Sequence, residues 1–274
     1  MRTTGRTPRR LALACLGATF LLAGLVGCGD DHDHDHDDAV DARPADAAPG
    51  SGAVTLAFAH RVGGDAVLMG TDTPYLNAAG DAFGVTVVRY FVSDVSLHFA
   101  DGSRWDAPGP RYVDHDLTAT LTQLLASDVP TGALASVSFV MGLPPALNTS
   151  GRFTAPPESL MEWPEMMGGG YHYLKFEGRY LNEAGEPFPY RAHSGGLDGA
   201  DYSFAVSLDA SGRAVETAGT TLTLVMNLEQ WFTEPHTWDL DDYFNAAQPG
   251  IMRNATAQAE LQANGATVFT LGAP

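Results

Sequence analysis

From residue 53 onward, apolar and polar positions alternate with a period of two over much of the chain. Val54, Leu56, Phe58 and His60 fall on one side of this alternation, and Thr55, Ala57 and Ala59 on the other. Successive side chains of a strand point to opposite faces, so the pattern is that of a strand with one buried face. Residues 85–99 are rich in Val, Tyr and Phe, with Val95, Leu97 and Phe99 sharing a face; segments 134–141, 171–181, 202–208, 220–228 and 267–271 are also strand-like. Gly, Pro and Asn clusters separate these runs. Many short strands so spaced predict an all-β domain, an antiparallel β-sandwich or barrel-like fold with a few short helices. Helical signals are confined to 239–244 and to 251–264, where Gly265 stands at the expected stop.

The first residues break this pattern. Arg2, Arg6, Arg9 and Arg10 precede an apolar run, Leu11 to Val26, which ends in Leu25-Val26-Gly27-Cys28. A basic start, a short apolar run and small residues before a cysteine form the layout of a bacterial lipoprotein signal. Residues 1–27 are therefore expected to be a signal peptide, with Cys28 as the lipidated N-terminus. Residues 28–52 open with alternating His32, His34 and His36 among aspartates and continue through an Ala/Asp/Pro stretch. With no apolar period and dense charge, this segment is expected to be a disordered acidic tether. His and carboxylate together also bind divalent metals, though without a fixed geometry. Residues 53–274 form the expected single domain, and the expected address is the bacterial cell envelope, anchored by lipid to the outer membrane.

Charge and cysteine usage narrow the chemistry. The net charge is −18, and Lys175 is the single lysine. Nucleic-acid binding is excluded as a function class, since phosphate contacts need a basic patch. The two cysteines are Cys15 in the signal and Cys28 at the lipid site. The domain thus has no thiol for a disulfide, zinc ribbon or nucleophile. A metal would have to be held by His, Met, carboxylate or a modified side chain.

Strand parity sorts the histidines. His60 ends its strand on the face of Leu56 and Phe58, and His172 begins its strand on the face of Leu174 and Phe176. Two core-facing histidines at strand ends meet at one end of a sandwich if their strands are antiparallel; either alone reads more simply as a hydrogen-bonded core residue. His98 falls on a polar face, His115 in a Val-Asp-His-Asp loop, and His193 and His236 in loops, where sites are commonly assembled. Residues 160–173 concentrate Met161, Met166 and Met167 around Trp163 and His172. Thioethers favour Cu(I) and imidazole suits copper in either state; the plainer reading is that the methionines and tryptophan plug the end of the sandwich.

Several blocks carry a family resemblance. Residues 54–64 (Val-Thr-Leu-Ala-Phe-Ala-His-Arg-Val-Gly-Gly) and 75–80, then 89–97 with Asp101-Gly102, Phe139-Val140-Met141-Gly142-Leu143-Pro144 through Asn148, Met161-x-Trp163, residues 170–178 (Gly-Tyr-His-Tyr-Leu-Lys-Phe-Glu-Gly), and 254–269 resemble, in that order, the MbnP-like copper-binding domain. A four-cysteine pattern of some relatives is missing. The resemblance implies an exported protein that holds one copper ion, paired with a di-haem, cytochrome-peroxidase-like partner of the MbnH type. It also implies that this partner oxidises a tryptophan to kynurenine, which helps to hold copper beside histidines. Trp163 is the first choice for that modification, in a Pro- and Gly-flanked loop expected to be open to an oxidant; Trp105, Trp231 and Trp238 are alternatives. His60, His172 and His193 are the expected metal ligands, with His236 in reserve.

The sequence thus reads as an envelope lipoprotein that binds copper for acquisition, storage or homeostasis, without turnover of its own. The alternative is a metal-free surface sandwich for binding or adhesion. No Gly-x-Ser-x-Gly, His-Glu-x-x-His or phosphate loop marks an enzyme.

Overall fold

The computed structural model describes residues 50–273; the expected signal peptide, most of the expected tether and the expected lipid site at Cys28 lie outside them. The strands among these residues are, in chain order, β1 (Ser51–Val62), β2 (Asp65–Ala66), β3 (Tyr75–Leu76), β4 (Ala82–Phe99), β5 (Arg104–Asp106), β6 (Arg111–Asp114), β7 (Thr122–Pro130), β8 (Gly132–Met141), β9 (His172–Leu181), β10 (Pro187–Gly195), β11 (Phe204–Asp209), β12 (Ala214–Val215), β13 (Thr220–Asn227) and β14 (Phe269–Leu271). The domain opens two residues earlier than expected, because Ser51 and Gly52 already pair with Pro130 and Val129 of β7.

Two sheets face each other. One has the order β14-β13-β1-β2, with β7 also on β1; the other has the order β10-β9-β4-β8-β11, with β12 on β8 and β3, β5 and β6 on β4. All pairings are antiparallel except β1 with β13, which runs parallel from Val54↔Thr220 to Arg61↔Asn227. The all-β sandwich expected from the alternation is present and neither sheet closes into a barrel. The inner faces meet in one continuous core. Leu56 and Phe58 of β1, Leu222 and Leu224 of β13, Val88 and Tyr90 of β4, Phe139 of β8 and Phe176 of β9 all belong to it. Burying each large apolar side chain contributes roughly 1.5–3 kcal/mol, so this interface dominates the stabilisation.

The outer face of the nine-stranded sheet is also covered. Phe91, Tyr112, Leu143, Met161, Tyr171 and Tyr173 form a second cluster, and Trp163, Met167, Leu197 and Tyr202 a third, with Met252 packed against it. Helix is sparse, as expected. α1 (Leu240–Tyr243) is capped by the Asp239 side chain, and α2 (Ala255–Asn264) by Asn254, which accepts from Ala257 N–H. α2 starts four residues later than predicted, because Ile251 is used as a core residue ahead of the cap. Gly265 does stand at its end, but in right-handed geometry; a Cβ there would lie 2.1 Å from the Phe204 ring, so space and not backbone conformation calls for glycine.

A similar close approach holds β9 against its neighbours. A Cβ on Gly178 would lie 1.9 Å from the Gly84 carbonyl oxygen and 2.6 Å from the Tyr190 hydroxyl. Gly178→Ala is therefore expected to lower stability by about 1–3 kcal/mol through overpacking. Urea unfolding checks this; an unchanged midpoint would contradict the packing described.

Candidate metal centre

Trp163 is positioned by the loop that crosses the outer face between β8 and β9. Its backbone N–H donates to Gly170 O at 2.8 Å, and Glu162 forms a bridge with Tyr171, so the loop closes as a small hairpin. Gly168, Gly169 and Gly170 all have positive φ (115°, 68° and 84°). Their freedom serves this closure: Asn148 Oδ1 accepts from Tyr171 N–H, Ser150 Oγ accepts from Gly170 N–H, and a Cβ on Gly170 would collide with Asn148. The glycines flanking a loop expected to be open to an oxidant instead seat that loop. Trp163 itself is only 2% exposed, so the expected open indole is buried. It packs with Met167, whereas Met166 is 75% exposed and its sulfur takes an N–H from Arg253.

The indole lies edge-on to His172, ring centroids 4.7 Å apart, and His172 lies edge-on to His193 at 5.0 Å. His172 begins β9. His193 is not in a loop, as expected, but in β10, opposite Lys175 in the β9–β10 hairpin. The register of that hairpin shifts between Ser194 and Gly195, which brings Gly195 opposite His172. A Cβ on Gly195 would lie 2.7 Å from the Trp163 ring, so glycine lets the indole close over the strand.

The protonation of both rings follows from their partners. His172 Nδ1 is 2.9 Å from the Met161 carbonyl, which only accepts, so Nδ1 carries the proton and Nε2 the lone pair. Burial, then His193 and Lys175, push the His172 pKa down to about 3. His193 Nε2 donates to Glu177 Oε1 at 2.8 Å. Burial lowers the His193 pKa against the opposing pull of Glu177. Its neutral ring therefore has the lone pair on Nδ1, which is buried without a hydrogen-bond partner. Burial raises the Glu177 pKa, but the His193 bond and the nearby Arg191 and Lys175 outweigh it and keep the carboxyl below its ordinary range. The result is two buried, neutral imidazoles, each with one nitrogen held by an acceptor and the other free of a proton. A ligating histidine oriented by a carboxylate or carbonyl has this form.

The third expected ligand is elsewhere. His60 does lie on the inner face of β1, 4% exposed, as parity required. Its partners, however, are His115, with Nδ1 to Nδ1 at 2.9 Å, and the Tyr90 hydroxyl, 3.1 Å from Nε2. Among the described residues no hydrogen bond or ring contact joins His60 to His172 or His193, so the expected triad divides into two pairs. The inference that two core-facing strand ends meet fails for His172, whose ring is engaged by the Trp163 loop and by β10. His236 is exposed, with Nδ1 4.0 Å from Glu260 Oε1 and no part in either pair. His98 is half-buried against Ser138 Oγ. Glu177 and His115 were not singled out by sequence. Glu177 could have been found by pairing the runs on either side of the Asn182–Glu186 turn, which sets it beside His193; nothing in Val-Asp-His-Asp signals the partner of His115. Among the described residues, no three His, Cys, Asp or Glu side chains converge as a metal site.

The fold and this outer-face pair of imidazoles define an all-β sandwich with a buried histidine–tryptophan centre. The MbnP family matches residues 51–253, and the chain belongs to that family. Its fold is similar to the solved structure of MbnP from Methylosinus trichosporium, at 16% identity and a TM-score of 0.53, over 80% of this chain and 98% of that one. A search of curated proteins finds no match.

Burying neutral imidazoles has a cost in acid. His60 and His172 have folded pKa values of about 3 against 6.5 for the free side chain. Between these values the unfolded chain binds more protons, so stability falls as pH drops, by about 1.4 kcal/mol per pH unit for each ring. His172→Gln is expected to flatten the decline in urea midpoint between about pH 6.5 and pH 4. Parallel declines in parent and variant would contradict the assignment of His172 as buried and neutral.

Proposed function

We propose that this domain binds one copper ion at the His172–His193 pair beside Trp163, and serves copper acquisition, storage or homeostasis at the bacterial envelope. The observation that supports this most is the unpartnered, buried Nδ1 of His193, next to a second neutral ring whose lone pair lies on Nε2. A buried polar atom without a partner costs roughly 1–3 kcal/mol, and a metal ion would offset that cost. Neutral imidazole suits copper.

Two imidazoles form an incomplete donor set. Trp163 supplies a way to complete it. Its Nε1 is likewise buried without a partner. Oxidative cleavage of its indole C2–C3 bond, with a di-haem peroxidase-like partner of the MbnH type taking the electrons, peroxide or dioxygen and water supplying the oxygen and C2 leaving as formate, would give kynurenine and place an aryl amine and a carbonyl beside His172. MbnP membership and the position of Trp163 against His172 support this reading. The chain itself is a binding protein and not an enzyme.

The test uses the full chain with His32, His34 and His36 changed to Ala, so that the tether contributes no imidazole. Expressed with and without the di-haem partner, the protein is expected to carry one copper only in the first case. Peptide mass spectrometry should then find Trp163 altered in the copper-bearing sample. His193→Ala should lose that copper while the fold is kept. Copper-free protein from both hosts would sink this reading and leave the metal-free surface sandwich.

The anchor at Cys28 is tested separately. Cys28→Ala is expected to move the protein from the detergent phase to the aqueous phase after extraction. Identical partitioning of parent and variant would rule the anchor out.

A further inference from the structure

From the His60–His115 geometry we propose a second metal site, independent of the first, in which Nδ1 of His60 and Nδ1 of His115 bind a borderline divalent transition-metal ion. The two nitrogens are 2.9 Å apart. With metal–nitrogen bonds of about 2.0–2.1 Å, two ligands at the tetrahedral angle span ~3.3 Å. The pair must therefore open by only ~0.4 Å. His60 is fixed in β1, but His115 follows β6 in a turn and is half-buried, so the required movement falls on the freer ring.

The surroundings of His60 fit ligation. Its second nitrogen, Nε2, already faces the hydroxyl of Tyr90, a fully buried residue of β4. The phenol oxygen accepts the Nε2 proton when Nδ1 serves the metal, which is the outer partner that ligating imidazoles commonly have. With the His60 ring proton on Nε2, toward Tyr90, and the His115 ring proton on its own Nε2, both Nδ1 lone pairs are available to the ion. The Asp114 carboxylate is engaged otherwise: Oδ2 accepts from Tyr112 and lies 2.9 Å from Arg89 Nε, while Oδ1 accepts from Asp116 N–H. Solvent, or the exposed Asp116 carboxylate next to His115, is left to fill the remaining positions. A site of two imidazoles completed in this way takes Cu(II) or Zn(II) in preference to hard cations, and Cu(II) most tightly.

The test titrates Cu(II) alone into the full chain with His32, His34 and His36 changed to Ala, with binding counted by calorimetry and nitrogen ligation read by electron paramagnetic resonance. His115→Ala, a substitution in a turn, is expected to remove one equivalent of bound Cu(II) and its two-nitrogen signal. Tyr90→Phe should keep the stoichiometry and weaken binding by about ten- to a hundredfold, because the ring loses its orienting partner. Circular dichroism on each variant checks the fold. A Cu(II) equivalent that survives His193→Ala and disappears in His115→Ala supports this site even if the His172–His193 reading fails. Bound Cu(II) that is unchanged in His115→Ala, or that is lost only in His193→Ala, would overturn the proposal.

Discussion

The architecture depends on β4 serving two sets of partners as one strand. Its first half pairs with β9 from Phe83 to Tyr90, and its second half with β8 from Val92 to Phe99. The change of partner falls between Tyr90 and Val92; just beyond it Asp94, with φ of 50°, leaves the pleat where β4 carries an extra residue against β8 between Ser93 and Ser96. Left-handed geometry in a residue other than glycine costs of order 1–3 kcal/mol, and Asp is among the residues that best tolerate it. Local bonds secure the junction: Ser93 Oγ donates to Gly142 O and Gly142 N–H to Phe91 O, both at 2.8 Å. Gly142 has φ of 113°, and a Cβ there would lie 2.9 Å from the Tyr173 ring. The bend in β4 thus sets the place of Tyr173, and with it the start of β9, where His172 stands. The candidate centre is built on the outer face of this junction.

That dependence explains which residues were legible in the sequence. The alternation in β1 is unbroken through His60, and the buried face it implies is the one observed. Parity is a local rule, and it holds as long as the strand has regular neighbours. It could not give the partner of His60, because His115 reaches it from a turn after β6 with no periodic signal of its own. At His172 the rule reached its limit. The ring sits at the first residue of β9, where the β10 register slips and the Trp163 loop folds back. The β1–β13 pair was beyond local pattern altogether, since a parallel strand and an antiparallel one show the same alternation of apolar residues. The helices were legible only in part: Gly265 does stand at the end of α2, but the expected start at Ile251 overlooks the Asn254 cap and falls four residues early.

Family membership and geometry support different statements. Membership is carried by a match over residues 51–253, and the likeness to a solved MbnP establishes the fold at 16% identity. Neither assigns a ligand. The division of the histidines into a His172–His193 pair and a His60–His115 pair comes from the side chains themselves. Each pair has its own orienting group: Glu177 for His193, and Tyr90 for His60. Separate orienting groups make the two pairs separable by single substitutions.

The burial of Trp163 changes what selects it among the four tryptophans. By accessibility alone an external oxidant would favour Trp105, which is half-buried, over Trp163, Trp231 and Trp238, each at most 2% exposed. An unsatisfied N–H does not discriminate either, because the indole nitrogens of Trp163, Trp231 and Trp238 all lack partners. Ring neighbours do. Trp238 stacks on Tyr243 with centroids 3.9 Å apart, and Trp231 lies edge-on to Phe204 at 6.1 Å. Among the described residues only Trp163 has an imidazole against its ring. Both of its coverings have reasons in the fold: Gly195 lets the indole close over β10, and Met167, 7% exposed, caps it from the loop. Oxidation by collision is therefore disfavoured for Trp163. Oxidation at Trp163 would have to take place beneath this cover, beside a neutral histidine. Selection by what surrounds the indole, and not by its exposure, is the condition that oxidative modification of Trp163 has to meet.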